Sequence, residues 1–280
     1  MEQKIQLIKS KANAMRKMII EMLAKSNSGH PGGSLSSTDI IACLYFSVMR
    51  HNSKDKEWTM RDRFHLSKGH CCPALYCALA MCGYFPESEL MKLRTYGAML
   101  QGHPDRNTPG IEVASGSLGQ GLSVSLGIAL AGKMDKVDWR VYCLMGDGEL
   151  QEGSVWEAAM ACAHYKVDNL CAIVDYNGFQ IDGRTTDVMS LEPLANKWEA
   201  FGWHVEQCDG HDVGALLNAF DRAKHIKSKP TVIVAQTVKG KGVSFMEHNV
   251  DFHGRAPTQQ EREIALRELN CNGCDCNCSN

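Results

Sequence analysis

Apolar residues at Ile5, Ile8, Ala12, Met15, Ile19 and Met22 recur at steps of three and four, which predicts the buried stripe of a long opening helix ending near "KSNSGHPGG". A Gly/Ser-rich loop over 26–37 follows, and then a second helical pattern through Ile40, Ile41, Leu44 and Val48. Further helices are predicted over 73–82 and 119–134, each after a Gly-rich loop; the Gly, Ser and Ala of the latter allow close backbone approach. From residue 139 the pattern changes to short apolar runs, "WRVYCLM", "LCAIVD", "WHVEQC" and "TVIVAQT", separated by helical stretches. Such alternation predicts an α/β fold, a central parallel sheet flanked by helices, with ligands lying beyond the carboxyl ends of the strands. No repeat or linker interrupts the pattern, so one domain over 1–270 is expected, followed by a Cys/Asn-rich, disordered tail over 271–280.

Composition narrows the chemistry. With 280 residues, 44% of them hydrophobic, the chain can bury a substantial core. A formal charge of -2, mixed along the chain, points to neither a nucleic-acid backbone nor a membrane surface. Absence of a long apolar run leads to the expectation of a soluble, cytoplasmic protein whose partners are small molecules or other proteins. Of the thirteen cysteines, nine are scattered through apolar segments as small hydrophobes, which suits a reducing compartment. The other four, Cys271, Cys274, Cys276 and Cys278, stand in "CNGCDCNCSN", where thiolates could gather on zinc or copper or simply belong to a polar terminus.

Two turns fall just past predicted strands: Gly146-Asp147-Gly148, and Asn177-Gly178 thirty residues after the acid. The Asp147 carboxylate, the Asn177 amide oxygen and a nearby backbone carbonyl form a hard-oxygen set suited to magnesium or calcium, and magnesium so held keeps positions open for phosphate oxygens. Taken alone, Gly-Asp-Gly is more often a plain turn than a site. The pair resembles the thiamine diphosphate motif, and "GDGELQEGSVWEAA" and "DYNGFQIDG" are similar to transketolases. In chain order, "NSGHPGGSLSS" (27–37), "LSKGH" (66–70), "GHPD" (102–105), "SGSLGQGLS" (115–123), "KGKGVSFME" (239–247) and "HGRAP" (253–257) extend the resemblance.

The resemblance covers the amino-terminal, diphosphate-binding half of a full-length transketolase. It implies the thiamine diphosphate-binding fold and the N-terminal subunit of a split transketolase. That subunit would transfer a two-carbon ketol unit from a ketose phosphate, by default xylulose 5-phosphate of pentose phosphate metabolism, to an aldose. It also implies a partner, the C-terminal transketolase subunit, in a heterotetramer of two copies of each, because the family's activating glutamate and most of its phosphate-gripping residues lie in the other half.

By the same resemblance, Asp147 and Asn177 hold the divalent metal (Mg2+, or Ca2+ or Mn2+) through their side chains and Phe179 through its carbonyl. Gly148 approaches the diphosphate. His70 and His253 lie near the diphosphate and the reacting carbon, while His30 and His103 contact substrate hydroxyls, tasks that suit imidazole near neutral pH. Gly116, Ser117 and Leu118 match a loop lining the cofactor rings; many members carry Pro at the position of Ser117, which reads equally as a cap for the next helix. Glu152 and Glu157 match glutamates at the subunit interface, or form a solvated helical face. His248 reads as a surface residue, and Lys239 and Lys241 as part of a flexible basic turn outside the site. Competing readings are a deoxyxylulose phosphate synthase-like or 2-oxoacid dehydrogenase-like chain, favoured less by "HPGGSLS", "LSKGH" and "HGRAP", or a non-catalytic metal-binding scaffold.

Overall fold

A computed structural model describes residues 1–55 and 58–271. The opening stripe forms α1 (Glu2–Ser26), with Ile8, Ala12, Met15, Ile19 and Met22 fully buried and Ile5 half-buried. Asn27 ends it in the left-handed conformation, φ 49°, which asparagine tolerates better than most residues.

The Gly/Ser-rich loop is shorter than its composition predicts. A helix, α2 (Pro31–Ser36), starts inside it, with proline in the first turn where its missing N–H costs nothing. Next, α3 (Thr38–Cys43) continues into a wider π turn over Leu44–Val48. The helices predicted at 73–82 and 119–134 are α4 (Cys72–Met81) and α5 (Gln120–Met134).

The four apolar runs are strands β2 (Val141–Gly146), β3 (Leu170–Tyr176), β6 (His204–Asp209) and β7 (Thr231–Gln236). A fifth, β1 (Arg63–Leu66), is not signalled by the sequence pattern because only four residues of "RFHL" pair, too few to establish a period. All five strands are parallel, in the order β1-β2-β3-β7-β6. A two-residue-per-arm hairpin, β4 (Phe179–Gln180) and β5 (Gly183–Arg184), follows β3. The short α7 (Thr185–Val188) and α8 (Leu194–Ala200) lead to β6, α9 (Val213–His225) lies between β6 and β7, and α6 (Gly153–His164) between β2 and β3. The last described helix is α10 (Gln259–Cys271); Cys274, Cys276 and Cys278 lie outside the described residues.

Strands β2, β3 and β7 read as continuous apolar runs because both faces are covered, whereas the edge strand β6 has no fully buried residue. Tyr142, Leu144, Cys171, Ile173, Ile233 and Ala235 pack with α1, α3, α4 and α9. Their alternates Val141, Cys143, Met145, Leu170, Ala172, Val174, Val232 and Val234 pack with α5, α6 and Trp198 of α8. Period-2 alternation therefore separates two cores rather than core from solvent. The nine cysteines from Cys43 to Cys208 are unpaired thiols, mostly buried in these cores. Among the described residues no helix is long and apolar enough to cross a membrane.

Leu144, fully buried in the second strand of the sheet, tests this packing. Leu144→Ala is expected to cost about 2–5 kcal/mol in chemical denaturation, the range for a truncated core leucine. A loss under about 1 kcal/mol would mean the site relaxes or is not core.

Candidate active site

The carboxyl ends of β1, β2, β3 and β7 open on one side, and each delivers one part of the site. β2 ends at Gly146, so Asp147 projects at the strand tip; β3 ends at Tyr176, so Asn177 begins the turn into the hairpin. The two turns meet directly: Gly178 N–H donates to Asp147 Oδ2 at 2.6 Å, and Gly148 N–H to Oδ1 at 2.8 Å. Asn177 Oδ1 accepts from Phe179 N–H at 3.1 Å, and its Nδ2 donates to Asp175 Oδ2 at 3.3 Å. Burial, with the neighbouring Asp175 carboxylate, lifts Asp147 to about 6. Among the described residues no group of three His, Cys, Asp or Glu side chains is arranged for a metal, and the Asp147–Asn177 set differs in drawing on an amide oxygen.

Beneath this turn lies an ion pair that sequence reasoning missed. Lys68, from "LSKGH" after β1, bonds Asp175 of β3. Both are fully buried, Lys68 at 2% and Asp175 at 0% exposure. Asp175 also accepts from Ser36 Oγ at 2.6 Å, Ser37 Oγ at 3.2 Å and Thr237 Oγ1. Burial pushes the Asp175 carboxyl up, but the Lys68 ammonium and the hydroxyls hold it below its usual range. Burial likewise opposes the charge of Lys68, and Asp175 keeps it protonated. The available signal was a charged residue ending an otherwise apolar run, "LCAIVD", since a buried charge requires a partner.

The histidines converge from three elements. His30 precedes α2, His70 lies in the 3-10 turn after β1, and His253 ends the 3-10 turn Val250–His253. Ring centroids are 5.1 Å apart for His30 and His70, 5.7 Å for His30 and His253, and 5.4 Å for His70 and His253. The approach needs glycine: a Cβ on Gly33 would lie 2.5 Å from Cys71 Sγ, 3.5 Å from Lys68 Nζ and 3.8 Å from His70 Nε2. The same position thus borders both the ion pair, at Lys68, and the His70 imidazole. His103 packs on Gly116, whose Cβ would lie 3.2 Å from the ring. Burial lowers His30 to about 4, helped by Arg94, His103 and Lys239, and lowers His253 to about 3, helped by Lys239, His30 and Lys68. His70 and His103 are lowered too, first by burial and then by Lys68 and Arg94 respectively. The cluster is neutral at pH 7.

Lys239 corrects the reading of its segment as a flexible basic turn. It is 2% exposed, and its Nζ contacts His253 Nδ1 at 2.9 Å. Burial and Lys68 bring it down to about 8. Gly240 beside it takes φ +82°, with the Met246 carbonyl where a Cβ would stand, so the turn is fixed rather than loose. Ser117 is exposed and does not cap α5; Gly119 holds that position. Leu118 is half-buried, and Glu152 and Glu157 are exposed at the start of α6. His248 is exposed, 5.9 Å from the Phe179 ring.

Residues 8–273 match the family model described as "Transketolase, thiamine diphosphate binding domain". The chain belongs to the transketolase family. It is 45% identical to the 6-deoxy-6-sulfo-D-fructose transketolase subunit SqwG of a Clostridium species, over 97% of this chain and 99% of that one. To one of the apulose-4-phosphate transketolase subunits of Phocaeicola vulgatus it is 43% identical, over 95% and 94%. Human transketolase is 42% identical over 96% of this chain, which spans only 43% of that protein. The crystal structure of Campylobacter jejuni transketolase superposes with a TM-score of 0.90 at 33% identity, covering 95% of this chain and 43% of the other. The chain thus corresponds to the N-terminal, thiamine diphosphate-binding half of a transketolase, and to the matching piece of those divided into subunits.

Removing one partner of the buried pair strands a charge, so Lys68→Met is expected to cost about 3–5 kcal/mol. The Lys68→Met/Asp175→Asn double variant should recover part of that loss in chemical denaturation, and simple additivity would contradict the pairing. For the imidazoles, ring-proton NMR of the cofactor-free chain should place His30 and His253 well below the ordinary 6.5. The unfolded chain then binds protons below about 6.5 that the folded chain refuses until lower pH, so stability is intact above 6.5 and declines as pH falls toward 4. Titration of both rings near 6.5 would contradict their burial.

Proposed function

We propose that this transketolase-family chain is the N-terminal subunit of a two-subunit enzyme. It binds thiamine diphosphate and a divalent metal, and with a C-terminal partner transfers a two-carbon ketol unit from a ketose phosphate to an aldose acceptor. The observation that carries this reading is the meeting, at one end of the sheet, of the Asp147–Asn177 turn with the neutral His30, His70 and His253 cluster.

The residues fit both groups. Asp147 is a buried carboxylate lifted to about 6, a state that a nearby dication relieves, and Asn177 adds an amide oxygen. Those side chains and the Phe179 carbonyl would hold Mg2+, with Ca2+ or Mn2+ as substitutes. Lys239, brought down to about 8 and bonded to an imidazole, is suited to an anionic diphosphate, as is the His70 edge beside Lys68. Gly148, and Gly116, Ser117 and Leu118 on the loop against His103, would line the cofactor. When bound, thiamine diphosphate supplies the carbon nucleophile and the electron sink for breaking a bond next to a ketone.

The chain's own groups then handle protons. The Lys239 ammonium donates to His253 Nδ1, which places the ring hydrogen on Nε2 and makes that atom the donor. His30 is only half-buried, which leaves part of its ring open to a substrate hydroxyl. His103, neutral at pH 7, serves a second hydroxyl.

A partner is required on this reading because the two similar subunits are named as parts of enzymes, while single-chain transketolases are more than twice as long. We place the exposed Glu152 and Glu157 at the junction of a heterotetramer with two copies of each subunit, in a reducing cytoplasm that keeps the thiols free. A donor with a sulfonate in place of phosphate is a second reading, favoured by the Clostridium relative.

Titration of thiamine diphosphate and Mg2+ into the chain, with and without a C-terminal transketolase subunit, should give tight binding and ketol transfer only in the mixture. Turnover by this chain alone would contradict the split. Asp147→Ala should lower turnover of the mixture by at least about 100-fold, the upper range for a residue merely supporting a metal ligand.

A further inference from the structure

The segment that presents Lys239 is held from behind by residues with no part in the chemistry above. After β7, Thr237 bonds Asp175 and Gly240 N–H donates to Gly32 O at 3.0 Å. Between these anchors, Val238 N–H donates to His211 Nε2 at 2.8 Å. An amide can only donate, so Nε2 is the acceptor and the ring hydrogen sits on Nδ1. There it meets Asp39 Oδ2 at 2.7 Å. The same carboxylate receives Arg16 Nη1 at 3.1 Å and Nη2 at 2.5 Å, while Arg16 Nε donates to Lys241 O at 3.2 Å. Burial pushes Asp39 up, yet Arg16 and His211 hold it down at about 2.

This chain of contacts joins α1, α3 and the β6–α9 turn to both sides of Lys239. Side-chain exposures of Arg16, Asp39 and His211 are only 10%, 7% and 12%. The turn bearing His211 is itself rigid: His211 N–H donates to Asp209 Oδ1 at 2.8 Å, and Asp212 caps α9 through Gly214 and Ala215. We infer that His211 is a positioning residue: oriented by Asp39 and Arg16, it fixes Val238 and so sets the register that brings Lys239 Nζ to His253 Nδ1. The inference rests on the reading of Lys239 and His253 as site residues. It predicts that the acceptor at the Nε2 position matters, and that the ring's packing and its bond to Asp39 do not suffice.

Three full-length variants separate these roles. His211→Gln places an amide oxygen where Nε2 stands, His211→Asn reaches only the Nδ1 position, and His211→Phe keeps the ring without either bond. Ring NMR of His253 in the unmixed chain is the first readout. We expect the His253 signals to move in His211→Asn and His211→Phe and to stay in place in His211→Gln, with Val238 amide exchange accelerated at least about tenfold in the first two, as for any amide losing its bond. With the partner subunit, kcat should fall about 10- to 100-fold in the same two variants, the effect of misplacing a catalytic group by an ångström or less. Thermal melts confirm folding, and if His211→Phe does not fold, the Asn and Gln pair still decides. His253 signals unmoved in Asn, moved in Gln, or moved equally in both overturn the inference. If the wild-type mixture shows no ketol transfer while the NMR pattern holds, the enzymatic reading fails and the positioning role stands.

Discussion

Everything at the carboxyl end of the sheet is organised around two charges that are never seen by solvent, Lys68 and Asp175. Each alone would be too costly to bury, and a pair of this kind persists only when its remaining hydrogen-bonding capacity is filled. Here it is filled by Ser36 at the end of α2 and the adjoining Ser37, Thr237 after β7 and Asn177 after β3. Satisfying one carboxylate therefore fixes the relative positions of four segments widely spaced in sequence. Those segments carry His30, His70, Asn177 and Lys239. The pair is better understood as setting geometry than as adding stability, since buried ion pairs often gain little over apolar replacements.

The electrostatics follow from that arrangement. Lys68 is compensated by Asp175, whereas Lys239 bonds an imidazole and feels Lys68 as a neighbour. Positive charge beneath the histidines, added to their burial, keeps the rings unprotonated. In the proposed holoenzyme this combination receives a diphosphate on one side and leaves neutral imidazoles facing the sugar on the other. In the same proposal, Asp147 across the turn is the negative counterpart for a dication.

Much of this was legible in the sequence, though unevenly. The α1 stripe and the apolar runs of β2, β3 and β7 announced the α/β fold, and the Gly-Asp-Gly and Asn-Gly turns announced that two strand ends meet. β1 escaped because four residues carry no measurable period, and α2 because Pro, Gly and Ser signal a loop even where proline opens a helix. Lys239 is misleading in sequence since a Lys-Gly-Lys-Gly run has the composition of a mobile turn, and what makes it rigid is contact with distant residues such as Gly32, His211 and Arg16. Lys68, Asp39 and His211 were invisible for a shared reason: a buried polar network is specified by partners far apart in sequence, and periodicity reports nothing about them.

The most direct test of the central claim, that Asp147 and Asn177 at two strand ends form one metal–diphosphate site, is a crystal structure of the complex with its partner subunit, thiamine diphosphate and Mg2+. The account predicts one Mg2+ at about 2.0–2.1 Å from a carboxylate oxygen of Asp147, the amide oxygen of Asn177 and the Phe179 carbonyl, with diphosphate oxygens completing its shell. A diphosphate bound away from this turn, or a metal held by other residues such as the terminal cysteines, would contradict it.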